Sequence, residues 1–145
     1  MPAPFRTLHH VCIVVRDMEA SVAYYESIGL GPWEPAVLSG FTELDMPNEE
    51  AFSLLQYRFL NLDNVQIQLC QPPELPCPQR EFLESHGEGV FHLGFEAPLD
   101  QGFEDARSVG LATLMSGRRD NGTGFIYFDT LSATGLVWMI RQSAP

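Results

Sequence analysis

The stretch SIGL at Ser27–Leu30 returns as SVGL at Ser108–Leu111, 81 positions later, and each copy closes a segment that reads as a helix. Twenty residues before Leu30 stands His10, and nineteen before Leu111 stands His92. Each histidine opens a short apolar run, HVCIVV in one case and HLGFEA in the other. A strand, a helix and a closing glycine recurring in order mean that one supersecondary unit has been used twice, which restricts the fold more than any composition could. Further along, LDNVQIQLCQ (62–71) matches FDTLSATGLVWMIRQ (128–142) if the second copy has a turn longer by five residues, an alignment that pairs Gln68 with Met139. The repeat therefore divides a single domain of residues 1–145 into a first module over 7–72, a connector over 73–88 that begins with prolines, and a second module over 89–143.

Each module reads as one strand, one helix and three further strands, an α+β arrangement. Asp17 is placed to cap the first helix and Gly29 to end it. Met18, Val22, Tyr25 and Ile28 fall at near-helical spacing and are expected to face a sheet. The second helix, about 100–109, carries Gly102 in its interior, which weakens it. FSLLQYRFLNL and NVQIQLCQ are expected to be the third and fourth strands of the first module, mirrored by TGFIYFD and GLVWMIRQ.

Charge narrows the partners. Eight basic residues against nineteen acidic ones give a formal net charge of −11, which repels nucleic-acid phosphates and anionic lipid, although Arg118-Arg119 forms a local basic pair. No run approaches the length of an apolar membrane span, and no leader-like segment opens the chain, so the expectation is a cytoplasmic protein with no nucleic-acid or membrane partner. The odd set Cys12, Cys70 and Cys77 lacks CxxC spacing and reads as reduced core thiols.

Strand alternation separates the adjacent histidines. His10, Cys12 and Val14 share one face and Val11, Ile13 and Val15 the other; the β-branched set is expected against helices, which leaves His10 on an open, polar face. Gln66, Gln68 and Cys70 oppose Val65, Ile67 and Leu69, and His92, Gly94 and Glu96 oppose Phe91, Leu93 and Phe95. Two imidazoles and an amide oxygen brought together suit a borderline divalent metal such as Zn, Fe, Co, Ni or Mn.

The segments LHHVCIVVRDMEASVAYYESIGL, NVQIQLCQP, ESHGEGVFHLGFEA and GLVWMIRQ resemble the vicinal-oxygen-chelate superfamily of glyoxalases, epimerases and extradiol dioxygenases, and HGEGVFHLGFE is most similar to its methylmalonyl-CoA epimerase-like and glyoxalase-like group. The resemblance implies two βαβββ modules with curved mixed sheets around a cleft, and metal ligands at His10, Gln68 and His92, with His9 left facing solvent. The fourth ligand position falls on Met139, where the family usually has a glutamate that serves as ligand and, in several members, as base. The third strand also lacks the epimerases' second carboxylate. Glu96 shares the face of His92 but, about 6.5 Å along the strand, is too far for easy binding to the same ion, which leaves Glu43, Asp45 and Asp129 as the substitutes within the sequence.

Two families of function follow. The first is an isomerase or lyase acting on a small carbonyl substrate polarised by a divalent metal, with His10, His92 and Tyr57 as catalytic candidates and Trp33, Phe41, Tyr57, Tyr127, Met139 and Arg141 binding substrate; Arg58 is a further orienting candidate. The second is metal-free: either a ligand-sequestering protein whose binding surface includes Phe59 and Trp138, or a tailoring enzyme using the histidines as acid and base. Dioxygenation ranks last, because no two-histidine, one-carboxylate triad can be completed. A homodimer is expected.

Overall fold

The structure, a computed structural model, describes residues 4–144. In chain order the elements are β1 (Leu8–Val14), α1 (Met18–Ser27), β2 (Glu34–Ala36), β3 (Glu43–Asp45), α2 (Glu49–Ser53), β4 (Gln56–Asn61), β5 (Gln66–Gln71), α3 (Pro78–His86), β6 (Gly89–Glu96), α4 (Leu99–Ser108), β7 (Thr113–Arg118), β8 (Gly124–Phe128), α5 (Leu131–Thr134) and β9 (Val137–Gln142). They form two compact units. An N-terminal unit comprises His10–Leu38 and Asn48–Phe91; a C-terminal unit gathers the chain up to His9, Ser39–Pro47 and the chain from His92 onward.

In the N-terminal unit the strand order is β2-β4-β5-β1, with β1 parallel to β5 and the other pairs antiparallel. In the C-terminal unit it is β6-β9-β8-β7-β3, with β6 parallel to β9. The expected pair of curved sheets around a cleft is not what forms. Within each unit the strand order is open, β2-β4-β5-β1 in one and β6-β9-β8-β7-β3 in the other, and neither closes on itself. Each order ends on a three-residue strand, β2 with Pro35 in the first and β3 in the second, and such short edges offer no ladder on which a sheet could close.

The two parallel ladders share one register. His10 lies opposite Gln66 and Cys12 opposite Gln68; His92 lies opposite Val137 and Gly94 opposite Met139. The ends match as well. Gln71 at the end of β5 accepts from the Met18 backbone N–H (2.6 Å), and Gln142 at the end of β9 accepts from that of Leu99 (2.9 Å), so each fourth strand satisfies the first amide of its module's helix. Gly29 and Gly110 close α1 and α4 with φ of 93° and 85°, the left-handed conformation that makes glycine the residue of choice there.

The helices themselves differ. Asp17 caps α1 by accepting from the Ala20 N–H (3.1 Å), whereas α4 follows Pro98 and has no side-chain cap. α4 compensates by proximity. A Cβ on Gly102 would lie 2.4 Å from Ile140 Cδ1, so the glycine that weakens the isolated helix is what lets it approach the sheet. There Leu99, Ala106, Phe95, Ile126, Phe128 and Ile140 form a core cluster, with Phe95 and Trp138 stacked 5.3 Å apart at 3°. The corresponding N-terminal cluster is smaller: Val15, Met18 and Leu69, joined by Ile13, Val22, Tyr25 and Trp33.

Three local expectations change. Ile28 is exposed, because it sits at the helix end rather than on the sheet-facing stripe. Phe52 and Ser53 close a helix instead of opening a strand, since Asn48 caps α2 by accepting from the Ala51 N–H and Phe52 turns into the interior. The His10 face of β1 is the more buried one: His10 is 3% exposed and Cys12 and Val14 fully covered, while Val11 and Ile13 are half-buried. An inner strand is covered on both faces, so β-branching did not identify the buried side.

Candidate functional site

In the C-terminal unit one sheet face carries His92, Met139, Tyr127 and Phe125, as strand alternation and the β6·β9 and β8·β9 registers require. Tyr127 faces Met139 across one ladder and Met115 across another. The rings form a row. His92 and Tyr127 have centroids 4.9 Å apart, Tyr127 and Phe125 5.4 Å, and Phe125 meets Phe41 edge-on at 5.3 Å. Arg119 ends the row, its guanidinium 4.0 Å above the Phe41 ring, a cation–π contact.

Beside the row runs a polar network. Arg141 Nη1 donates to the His9 ring (2.5 Å to Nε2), and its Nε lies 3.5 Å from Glu96 Oε2. The other oxygen of Glu96 accepts from the Ser143 backbone N–H (2.7 Å) and hydroxyl (2.5 Å). His9, expected to face solvent, is half-buried in this network. Burial and then the Arg141 guanidinium lower its pKa, with Glu96 opposing them, so the ring accepts from the arginine as neutral imidazole. His92 is 1% exposed, and burial pushes its imidazole down to about 3. It stays neutral at ordinary pH. A base so weak is poorly matched to proton abstraction near pH 7.

In the N-terminal unit the equivalent face carries His10, Gln68, Tyr57 and Phe59, with Tyr57 opposite Cys70 and Phe59 opposite Gln68. Gln68 Nε2 donates to Gln66 Oε1 (2.8 Å). Cys12 hydrogen-bonds Cys70, and burial, then that bond, raise the Cys12 pKa well above the usual thiol value, so this is a protonated interior thiol. Trp33 belongs elsewhere: its Nε1 donates to the Leu30 carbonyl (2.9 Å), it contacts Tyr25, and it packs with α1. Arg58 pairs with Glu19 (3.1 Å) on the helix-bearing side. An open groove of about 420 Å³ over the start of α1, lined by Arg16, Asp17, Ser21, Tyr24 and Glu88 among others, is bordered by none of the candidate site residues.

Do these residues fit a divalent metal? Among the described residues no group of three or more His, Cys, Asp or Glu side chains is placed to hold one. The donor chemistry agrees. His92 has Tyr127 as a ring neighbour with Met139 on its face, and His10 is opposite an amide, none of which is an anion. The substitute carboxylates do not repair this. Glu43 and Asp45 are exposed on the alternate positions of β3, where Leu44 rather than either of them is opposite Gly117; Asp129 is exposed beyond β8; Glu96 is held by Arg141 and Ser143. The expected ligands His10, Gln68 and His92 are two imidazoles and an amide, so an ion held by them alone would have no protein anion beside it.

The family profile described as Glyoxalase/Bleomycin resistance protein/Dioxygenase superfamily matches residues 9–128. The chain belongs to this superfamily. Similar superfamily folds among solved structures include methylmalonyl-CoA epimerase from Mycobacterium tuberculosis (TM-score 0.71, 20% identity, 100% of this chain and 93% of that one). A Streptomyces coelicolor methylmalonyl-CoA epimerase variant in complex with 2-nitronate-propionyl-CoA gives 0.69 at 21% identity, over 97% and 99%. A hypothetical protein from Bacillus halodurans gives 0.69 at 16%, over 95% and 94%. At these identities the likeness is one of fold. A search of curated proteins finds no significant match. The resemblance read from the LHHVCIVV and HGEGVFHLGFE segments is therefore sound at the level of the superfamily and its epimerase-like fold.

Sequence reading passed over Arg119, treated only as half of a basic pair, and Phe125 and Met115. Alternation in GFIYF was the available signal, since it puts Phe125 and Tyr127 on one face.

Proposed function

We propose that the chain is a ligand-binding member of the superfamily, which takes a small organic molecule on the His92 face of its C-terminal unit. The observation that carries this reading is Met139. It is 4% exposed, stands at the register position of Gln68, and sits opposite Tyr127 where proton-transfer chemistry would need a carboxylate. Thioether and aromatic surface with a neutral imidazole suits holding an apolar body better than moving its protons.

The second reading is an isomerase or lyase that polarises a carbonyl through a divalent metal, with His10, Gln68 and His92 as its ligands. It is favoured by likeness to epimerase folds across 93–99% of their length and by the shared register of His10 and His92. One experiment separates the two. Incubation with methylmalonyl-CoA in deuterated water, with Co²⁺ or Zn²⁺ supplied, should give no protein-dependent α-deuterium exchange. Exchange above the buffer rate that vanishes in His92→Ala establishes the enzyme instead. A Met139→Glu variant adds a spectroscopic check: the new carboxylate should strengthen Co²⁺ binding, seen as visible absorption absent from the wild type, and wild-type absorption of equal strength contradicts the proposal.

A further inference from the structure

All eight basic residues of this chain are arginines, and they meet different fates. Arg58, Arg80, Arg107, Arg118 and Arg141 are in ion pairs with Glu19, Glu84, Glu104, Asp100 and Glu96. Arg6 and Arg16 are exposed to solvent. Arg119 alone is half-buried with no carboxylate within ion-pair distance among the described residues. Its partners are neutral: Nε donates to the Ser39 carbonyl (2.7 Å), Nη1 to Thr123 Oγ1 (3.3 Å), and the plane lies over Phe41.

Half-burying a cation without an anion is unfavourable, and here a second cation adds to the cost. Arg141 is opposite Phe125 in register, and the Phe125 ring meets Phe41 beneath Arg119. Burial and then Arg141 lower the Arg119 pKa. Arg141 is neutralised by Glu96, and His9 is uncharged, which leaves this neighbourhood with one positive charge in a chain whose net charge is −11.

We propose that Arg119 is the anchor of an anion-binding subsite at the end of the aromatic row, specific for a carboxylate monoanion with an apolar body. Charge selects the monoanion: one uncompensated cation is matched by one negative charge. Geometry selects the carboxylate. With Nε committed to Ser39, one Nη1 hydrogen to Thr123 and the guanidinium face to Phe41, the donors left over are the other Nη1 hydrogen and those of Nη2, in the plane that a carboxylate meets with two parallel bonds. Phe41, the half-buried ring of the row, is the adjacent surface for the apolar body, with Phe125 and Tyr127 buried behind it. Gly40 turns the chain beside the guanidinium with φ of 81°, a backbone conformation that residues with side chains rarely adopt. The subsite rests on the reading that this face binds a small molecule, and it names that molecule's polar end.

The test is a titration of the whole protein with benzoate, benzamide and inorganic phosphate, following the Arg119 Nε–H resonance. Benzoate should bind at least tenfold more tightly than isosteric benzamide and than phosphate, and should shift that resonance. Arg119→Gln should lose the preference, whereas Arg118→Gln, a matched charge change at a residue paired with Asp100, should alter affinity less than twofold. Arg119→Lys keeps the charge but not the fork and should recover only part of the discrimination. Because Arg119 also holds Ser39, melting curves accompany each variant, and if Arg119→Gln unfolds, the wild-type contrast between benzoate and benzamide decides. Equal binding of the two overturns the subsite while leaving the ligand-binding reading intact. Binding of none of the three overturns both, as does equal loss in the two glutamine variants for the subsite.

Discussion

Set side by side, the two parallel ladders show one backbone carrying two chemistries. His10, Cys12 and Val14 of β1 correspond in register to His92, Gly94 and Glu96 of β6; Gln68 and Cys70 of β5 correspond to Met139 and Arg141 of β9. On the neighbouring strands Tyr57 and Phe59 correspond to Phe125 and Tyr127. On this face only histidine and aromatic character survive at equivalent places. Where the N-terminal unit buries a valine and a thiol, the C-terminal unit has the Glu96–Arg141 pair; where the first has an amide, the second has a thioether. Register is set by which face of a strand is buried and by the flanking turns, so it holds in both copies while the individual side chains differ.

The largest difference to probe is at Gly124, which occupies the register position of Gln56. A Cβ there would lie 2.2 Å from the Gly117 carbonyl oxygen and 3.1 Å from Leu99. Gly124→Ala should therefore cost about 3 kcal/mol in urea unfolding, at the upper end of overpacking effects, whereas Gln56→Ala, exposed on its strand, should cost less than about 0.5 kcal/mol. Similar costs at the two positions break the contrast between equivalent backbones carrying different side-chain surroundings.

Next in size is a pH effect confined to one unit. The His92 pKa is lower in the folded protein than the ordinary 6.5, so as pH falls the unfolded chain takes the proton first, and stability present above 6.5 is lost on the way down to about 3. The slope from this residue approaches about 1.4 kcal/mol per pH unit. Urea unfolding of metal-free protein between pH 6 and pH 4 should show His92→Gln flatter by nearly that amount. An unchanged slope means that His92 is not the buried neutral ring described above.

The smallest effect concerns the paired glutamines. Gln71→Ala and Gln142→Ala each remove the acceptor for a first helical amide, worth about 1 kcal/mol. α1 retains its Asp17 cap and α4 has no side-chain cap to fall back on, so Gln142→Ala should show the larger drop in melting temperature. The reverse order sharpens the comparison differently, showing that α4 is held by its packing at Gly102 and not by its first turn.

Much of this was legible in residues. The SIGL and SVGL glycines, Asp17 as cap and the alignment of Gln68 with Met139 are local or periodic features, and they appear as left-handed closures, a capping bond and a common register. Other positions were not legible because they depend on what a distant segment does. Phe52 reads as strand until Asn48 caps a helix before it; Gly102 reads as a weakness until Ile140 is against it; His9 reads as a surface residue until Arg141 reaches its ring. Arg119 reads as charge alone until Phe41 lies beneath it.

The sequence by itself determined the duplication, the opening strand, helix and closing glycine of each copy and the residue types available at equivalent places, which are written in periodicity and spacing, and it carried the segments whose resemblance pointed to the superfamily. Tertiary structure decided the rest. The short edges β2 and β3 leave the sheet order open, β3 pairs with β7 across more than seventy residues of chain, and burial on both faces of β1 turned an expected polar surface into interior. The reason is physical: capping, alternation and turn chemistry act over a few residues, whereas burial, charge neutralisation and edge pairing depend on which distant atoms arrive.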